Sequence, residues 1–218
     1  MKIVACVPAK SNSSRLPNKN NLKINNVELF INSCYNLSKI LPKNDIYVDT
    51  DSEEMLEISK NHGFNGFLRE KKYANNSCCG NKLLSLELDN VDCDIIIQHL
   101  PTMPFLTKKT LSNSIEAVLD KGYDSVLVGY EEAFYEWKGN EPVYDILNIP
   151  NSFEIKKTFI EGMGLYVLRK SFFDNSNVRV GGKIKKIFLN KFERIDINYK
   201  EDYDFSKAVE NYFKENYE

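Results

Sequence analysis

The chain has 218 residues, of which 42% are hydrophobic and 28% charged, and a net charge of −2. That length and balance suit one α/β domain spanning residues 1–218 with a full core, and they exclude a disordered or collagen-like chain. Near-neutral charge gives no general attraction to nucleic acid or to an anionic membrane, so any anion site must come from local placement.

Five cysteines (Cys6, Cys34, Cys78, Cys79, Cys93) include no C-x-x-C pair, and two histidines cannot furnish a His-rich metal site. There is no signal-peptide layout and no apolar run of about 18 residues. The expectation is a soluble protein of a reducing, cytoplasmic compartment.

Ile3 to Val7 is short, β-branched and stopped by Pro8, which predicts a buried strand. Residues 9–20 have no apolar period. They carry small polar side chains and three cations, Lys10, Arg15 and Lys19. A polar loop leaving the carboxyl end of a parallel strand is where open α/β sheets bind ligands. Short side chains let backbone N–H groups approach phosphate oxygens, and the cations neutralise them. The pattern predicts a loop that wraps a polyphosphate; a solvated surface is the plainer alternative. It is neither a Walker loop nor a Gly-x-Gly-x-x-Gly turn.

Pro8-Ala9-Lys10, Ser13, Arg15-Leu16-Pro17 and Lys19-Asn20 resemble the opening signature of the acylneuraminate cytidylyltransferase family, which activates acidic nine-carbon sugars with CTP. The family usually has Arg where this chain has Lys10, and glycines where it has Ser11 and Asn12. Asn tolerates positive φ, so Asn12 is expected to keep the turn. The resemblance implies a Rossmann-like α/β fold: a mostly parallel central sheet flanked by helices, with a small dimerisation arm. It also implies that Lys10, Arg15 and Lys19 hold the triphosphate. Ala9, Ser11, Asn12, Ser13 and Asn20 would contact the nucleotide.

Val27 to Leu41 has helical spacing and ends at Pro42. Residues 45–51 read as the second strand. Asp51 is read as the N-cap of a helix running to Gly63, the alternative being a ligand-facing residue as in the family's Ser/Thr-Asp pair. Gly66 to Leu68 reads as an edge strand, and a helix opens at Ser77 or Gly80 and runs through Leu88. By position in the resemblance, Arg69 and Asn81 face the base or ribose.

Residues 94–100 form the next strand. The two prolines of Pro101-Thr102-Met103-Pro104 make a stiff, non-helical turn, similar to the family's Pro-Thr-Ser-Pro. That likeness puts Thr102 on the nucleotide and Met103 on the acceptor, although Leu100, Met103 and Leu106 stand where the family has polar residues. Gln98 and His99 alternate, so one should face the crevice; His99 is the acceptor-side candidate, or else a structural histidine. Thr107 caps a helix that ends at Gly122, and residues 124–129 form another strand.

Residues 130–160 break this rhythm. A Gly139-Asn140 turn with Val143 to Leu147 as return strand predicts a hairpin that resembles the family's arm. The resemblance implies a homodimer in which Trp137 and Lys138 cover the partner's acceptor site. Glu161 to Arg169 reads as a strand in which Gly162 admits the acceptor or packs a backbone neighbour. A further strand is expected at residues 187–189. A short β run near residue 195 would deliver Asp196 and Asn198 to one face. The family's Asp-x-Asp there binds the catalytic magnesium, so the resemblance implies Mg²⁺ on Asp196, with Asn198 as a neutral oxygen ligand. An amphipathic helix closes the chain.

The resemblance implies an enzyme moving CMP from CTP to a small acidic acceptor (sialic, legionaminic or pseudaminic acid) with release of pyrophosphate. A 3-deoxy-octulosonate, phosphonate or phosphate acceptor is the alternative, as is a nucleotide-binding homologue without activity. A glycosyltransferase using Asp49-Thr50-Asp51 as its metal motif is the rival from another enzyme class.

Overall fold

The computed structural model describes residues 1–217. The chain begins with β1 (Ile3–Pro8), a hairpin of β2 (Lys23–Ile24) and β3 (Val27–Glu28), and α1 (Leu29–Ser38). It continues through β4 (Ile46–Thr50), α2 (Glu53–Asn61), β5 (Asn65–Leu68), α3 (Gly80–Asn90), β6 (Ile95–His99) and α4 (Lys108–Leu119). After β7 (Ser125–Glu132) come the arm strands β8 (Trp137–Lys138) and β9 (Glu141–Pro142). The chain closes with β10 (Thr158–Arg169), α5 (Lys170–Ser176), β11 (Ile184–Phe188) and α6 (Lys200–Tyr217).

Seven strands form one sheet in the order β11-β7-β10-β6-β1-β4-β5. Neighbours are parallel except at β10, which runs antiparallel to β6 and β7. β1 shows why the sheet is buried on both faces. Its side chains alternate, so Ala5 and Val7 meet Phe30, Leu37 and Val118 on one face, while Val4 and Cys6 meet Leu84, Leu88 and Phe173 on the other. A third cluster packs α6, through Phe213, on Leu16, Phe105, Ile195 and Ile197. This ties the end of the chain to the loop after β1.

Several boundaries differ from the sequence reading. The first helix starts at Leu29, not Val27, because Asn25 and Asn26 both take left-handed φ (54° and 65°) and turn the chain into the β2–β3 hairpin. The arm's return strand is Glu141–Pro142, not Val143 to Leu147. There Asp145 Oδ1 accepts from Leu147 N, a turn that stops the ladder. No strand forms around residue 195, because Asn190 Oδ1 accepts from the N–H groups of Phe192 and Glu193 and starts a series of turns. The helix α5 was not anticipated. No helix of the described residues is long and apolar enough to cross a membrane.

Candidate active site

The chain leaves β1 toward β4 and β5, then returns to β6 on the other side of β1. That reversal opens a crevice at the carboxyl ends of the strands. A cavity of about 370 Å³ lies there. Its wall includes Lys10, Ser13, Arg15, Lys19 and Asn20 from the first loop, Arg69 from the end of β5, and Thr102 from the proline turn. The sequence reading named all seven of these. It assigned no role to Tyr73, Asn76, Cys78 and Leu83, which close the cavity from the segment after Arg69; the run of asparagines there was the available signal.

The first loop is held by backbone ties. Ala9 N donates to Asp49 O at 2.8 Å, and Asn20 Nδ2 donates to Lys10 O at 2.9 Å. Ser11 donates both N–H and O–H to the Asp51 carboxylate at 2.7 and 2.8 Å. Asp51 is therefore a loop anchor and not the cap of α2; Ser52 is the cap, accepting from Met55 N. The left-handed residue of the loop is Asn18 (φ 54°), not Asn12, which is exposed and outside the cavity wall. Ala9 and Ser11 act through the backbone and through Asp51 and do not line the cavity.

Lys19 is buried, and its Nζ donates to Ile197 O at 2.9 Å. Burial lowers its ammonium to about 8, helped by Arg15 and Lys10 and opposed by Asp196 and Asp202. Lys10 Nζ donates to Asn76 Oδ1 at 2.7 Å, and Asn76 Nδ2 donates to Ser14 Oγ at 3.1 Å. The Arg15 guanidinium lies 5.8 Å from the Tyr199 ring centre.

The segment carrying Asp196 is stitched to the same rim. Ile197 N donates to Thr102 O at 2.8 Å, and Asp202 Oδ2 accepts the N–H groups of Asn198 and Tyr199. Asn198 Nδ2 donates to Asp196 Oδ2 at 2.6 Å, so the two residues do share one side. The amide donates through its nitrogen, which keeps its oxygen as an acceptor beside the Asp196 carboxylate. Among the described residues no group of three or more His, Cys, Asp or Glu side chains could hold a metal ion. A single carboxylate suits only a hard cation that keeps waters and leans on phosphate oxygens.

Behind the cavity wall lies a row of buried polar groups. Arg69 Nη2 donates to Asp49 O at 3.1 Å, and its Nε sits 3.0 Å from Asp49 Oδ1 as an ion pair without hydrogen-bond alignment. Gln98 Nε2 donates to Glu87 Oε2 at 2.7 Å and its Oε1 accepts from Arg179 Nη1 at 2.9 Å. The Arg179 guanidinium stands 3.6 Å from the Tyr166 ring centre. Burial raises the carboxyls of Asp49 and Glu87 above the usual range. With Asp49 buried on Arg69 and Asp51 spent on Ser11, Asp49-Thr50-Asp51 is not a metal motif.

The acceptor-side expectations fare worse. His99 is fully buried, because both faces of central strand β6 are covered. Neither ring nitrogen has a well-formed hydrogen bond, and burial lowers the imidazole to about 4. Met103 is fully buried and occupies the space beside Gly162 and Gly164, so those glycines make room for a side chain of this chain. Leu106 is core. Asn81 accepts from Arg179 N and does not line the cavity. Trp137 and Lys138 are exposed on the arm, apart from the cavity wall.

The chain resembles known proteins along most of its length. Against the curated 3-deoxy-manno-octulosonate cytidylyltransferase of Christiangramia forsetii it is 25% identical over 125 residues. The match spans 57% of this chain and about half (49%) of the relative. In fold it is similar to a CMP:2-keto-3-deoxy-manno-octonic acid synthetase solved with CTP (TM-score 0.72, 13% identity, 97% and 99% of the two chains). It is also similar to the bifunctional IspDF of Campylobacter jejuni (TM-score 0.71, 17% identity, 94% and 54%). A cytidylyltransferase from Leptospira borgpetersenii serovar Hardjo-bovis shares the fold too (TM-score 0.67, 18% identity, 97% and 87%). At these identities the structures speak for the mostly parallel α/β architecture. Residues 4–171, which carry the first loop, Arg69 and the proline turn, match the sequence profile described as Cytidylyltransferase, and the chain belongs to that family.

Proposed function

We propose that the protein is a CTP-dependent nucleotidyltransferase that forms a CMP derivative of an acidic sugar. The observation that carries this reading is the convergence of Lys19, the Asp196 segment and Thr102 on one rim of a cavity lined by four cations, Lys10, Arg15, Lys19 and Arg69. A triphosphate needs concentrated positive charge, and Lys10, Arg15 and Lys19 supply it in a wall that is partly screened from water. Asn20 holds the Lys10 carbonyl, which keeps the loop backbone open toward the phosphates. Arg69 and Thr102 stand on the base and ribose side.

The acceptor hydroxyl oxygen forms a bond to the α-phosphorus of CTP. The bond from that phosphorus to the bridging oxygen breaks, pyrophosphate leaves with the electron pair, and the hydroxyl proton goes to solvent. The residues position the reactants and neutralise charge, with no covalent step of their own. Asp196 would hold magnesium, with the side-chain oxygen of Asn198 as a neutral ligand beside it. The metal would supply charge neutralisation on the phosphates.

A 3-deoxy-octulosonate is the first acceptor to try, ahead of sialic, legionaminic or pseudaminic acid. The Christiangramia relative supports it. So does the replacement of polar family residues by Leu100, Met103 and Leu106, two of them sealed in the core. A homodimer through the arm belongs to the same proposal. The test is pyrophosphate release from CTP and Mg²⁺ with a panel of acid sugars, phosphonates and sugar phosphates. Release with an acid sugar supports the reading; CTP binding without turnover on any acceptor overturns it.

A further inference from the structure

The buried row behind the cavity contains an imbalance that hydrogen bonding alone does not resolve. Both Asp49 oxygens and Glu87 Oε1 are buried without a well-formed hydrogen bond, and the two carboxyl groups lie on one side of the sheet, close enough to interact: Tyr47, two residues before Asp49 on β4, packs on the cluster of Leu84 and Leu88, which flank Glu87 on α3. Two carboxylates are acceptors only. Placed side by side away from water they repel, and neither has a polar hydrogen to offer. One proton between them removes both problems: one group becomes a donor, the other an acceptor, and the pair carries a single negative charge. That charge faces Arg69, whose guanidinium forms part of the cavity wall.

We propose that Asp49 and Glu87 share one proton, and that this pair positions Arg69 for the nucleotide. Glu87 is then a positioning residue on α3 that touches no ligand. The inference that Arg69 meets CTP rests on the function proposed above; the shared proton does not. The groups facing the pair are few. Asp49 is paired with Arg69 and feels the charges of Asp51 and Glu87, while Glu87 accepts from Gln98 and feels the charges of Asp49, Arg69 and Arg179. The thiols of Cys6 and Cys78 lie close enough to sense Asp49. Asp51 is turned to Ser11, and Arg179 is spent on Gln98 and Tyr166. Arg69 is therefore the cation that answers the pair's charge. Full ionisation would leave two negative charges for it; full protonation would leave none.

The proton is read first without any ligand. Infrared spectra of the whole protein near pH 7 should show the carbonyl stretch of a protonated carboxyl group, lost in both Glu87→Gln and Asp49→Asn. In each variant the amide NH₂ supplies the donor and the remaining carboxylate ionises. CTP binding by calorimetry is the second arm. Glu87→Ala should loosen CTP about tenfold, as expected when a buried charge loses its partner. Glu87→Gln should restore most of that loss, because its amide donates to Asp49. Asp49→Asn should resemble Glu87→Ala, because Arg69 loses the carboxylate that pairs with its Nε at 3.0 Å and the negative charge passes to Glu87. Absence of the carboxyl band from the wild type overturns the proposal. So does Glu87→Gln binding as weakly as Glu87→Ala when melting curves show both folded. Should Glu87→Ala not fold, a Glu87→Gln affinity as weak as that of Asp49→Asn overturns it. A wild type that keeps the band but binds no CTP defeats the functional reading and leaves the proton pair standing.

Discussion

The ammonium of Lys19 donates to the carbonyl oxygen of Ile197 at 2.9 Å, across 178 residues of sequence. The carbonyl sits between Asp196 and Asn198, so one hydrogen bond fastens the first loop to the segment that would carry the metal. Lys19→Ala removes a buried cation from the cavity wall and this fastening together. CTP turnover should fall about 100- to 1,000-fold. Pyrophosphate release near the wild-type rate would remove Lys19 from the mechanism.

The same lysine gives a pH dependence. Burial lowers its ammonium to about 8, below the usual 10.5. The folded state then binds fewer protons than the unfolded chain between those values, so this group makes the empty protein more stable as pH rises from about 8 toward 10.5. Below that window the cost of the buried charge is fully present. CTP binding has the opposite sense, because phosphate needs the charged form. Affinity should decline as pH passes about 8, and Lys19→Arg, which stays charged, should carry that limb to higher pH. Calorimetric titration across the alkaline range measures both.

Much of this site was legible because its charges lie close together in sequence. Lys10, Arg15 and Lys19 come from one loop with no apolar period, and its place after a buried strand, with the motif order around it, set it apart from a solvated surface. What escaped were partners far apart in the chain. Asp51 looks like a cap from its neighbours, and only the fold brings Ser11 to it, 40 residues away. His99 was left between an acceptor-side and a structural role for another reason: alternation along a strand tells two faces apart only when one of them is open. On β6 both are covered, and the period of two carries no information about exposure. Val27 was read as the start of the first helix because the two-residue left-handed turn at Asn25 and Asn26 leaves no apolar signature.

Asp51 and Ser52 should separate cleanly by mutation. Ser52→Ala removes the cap of α2 and should cost about 1 kcal/mol of stability with CTP affinity unchanged. Asp51→Ala frees Ser11 and should weaken CTP binding while moving the melting temperature less. If Asp51→Ala behaves as the cap variant and leaves CTP binding intact, the anchor assignment fails. Melting curves with and without CTP supply both readings.

His99 should mark the acid limit of the fold. Its imidazole is lowered to about 4 from 6.5, with burial as the leading cause. The unfolded chain takes up a proton between those values and the folded chain does not, so stability is lost as pH falls from about 6.5 toward 4. His99→Leu deletes two buried ring nitrogens without good partners, and it should raise stability by about 1 kcal/mol near pH 5. The gain should shrink toward neutral pH. Urea unfolding at two pH values checks the slope.

The arm leaves Leu147 and Phe153 almost fully exposed, at 94% and 97%, beside half-exposed Trp137 and Val143. The proposed homodimer would cover this apolar surface. Leu147→Asp with Phe153→Asp should convert a two-chain species to a single chain in sedimentation, with CTP still bound to the first loop. An unchanged mass for the variant would move the interface elsewhere.

A side chain added at Gly164 would meet Met103 Cβ at 2.6 Å. Met103 is locked between two prolines in the turn that also holds Thr102, and Thr102 holds Ile197. One extra methyl deep in β10 would therefore travel outward through the proline turn and be felt where the two ends of the chain meet. Efforts to alter the choice of the proposed acceptor should begin on the exposed arm, where change is local, and leave the glycines of β10 alone.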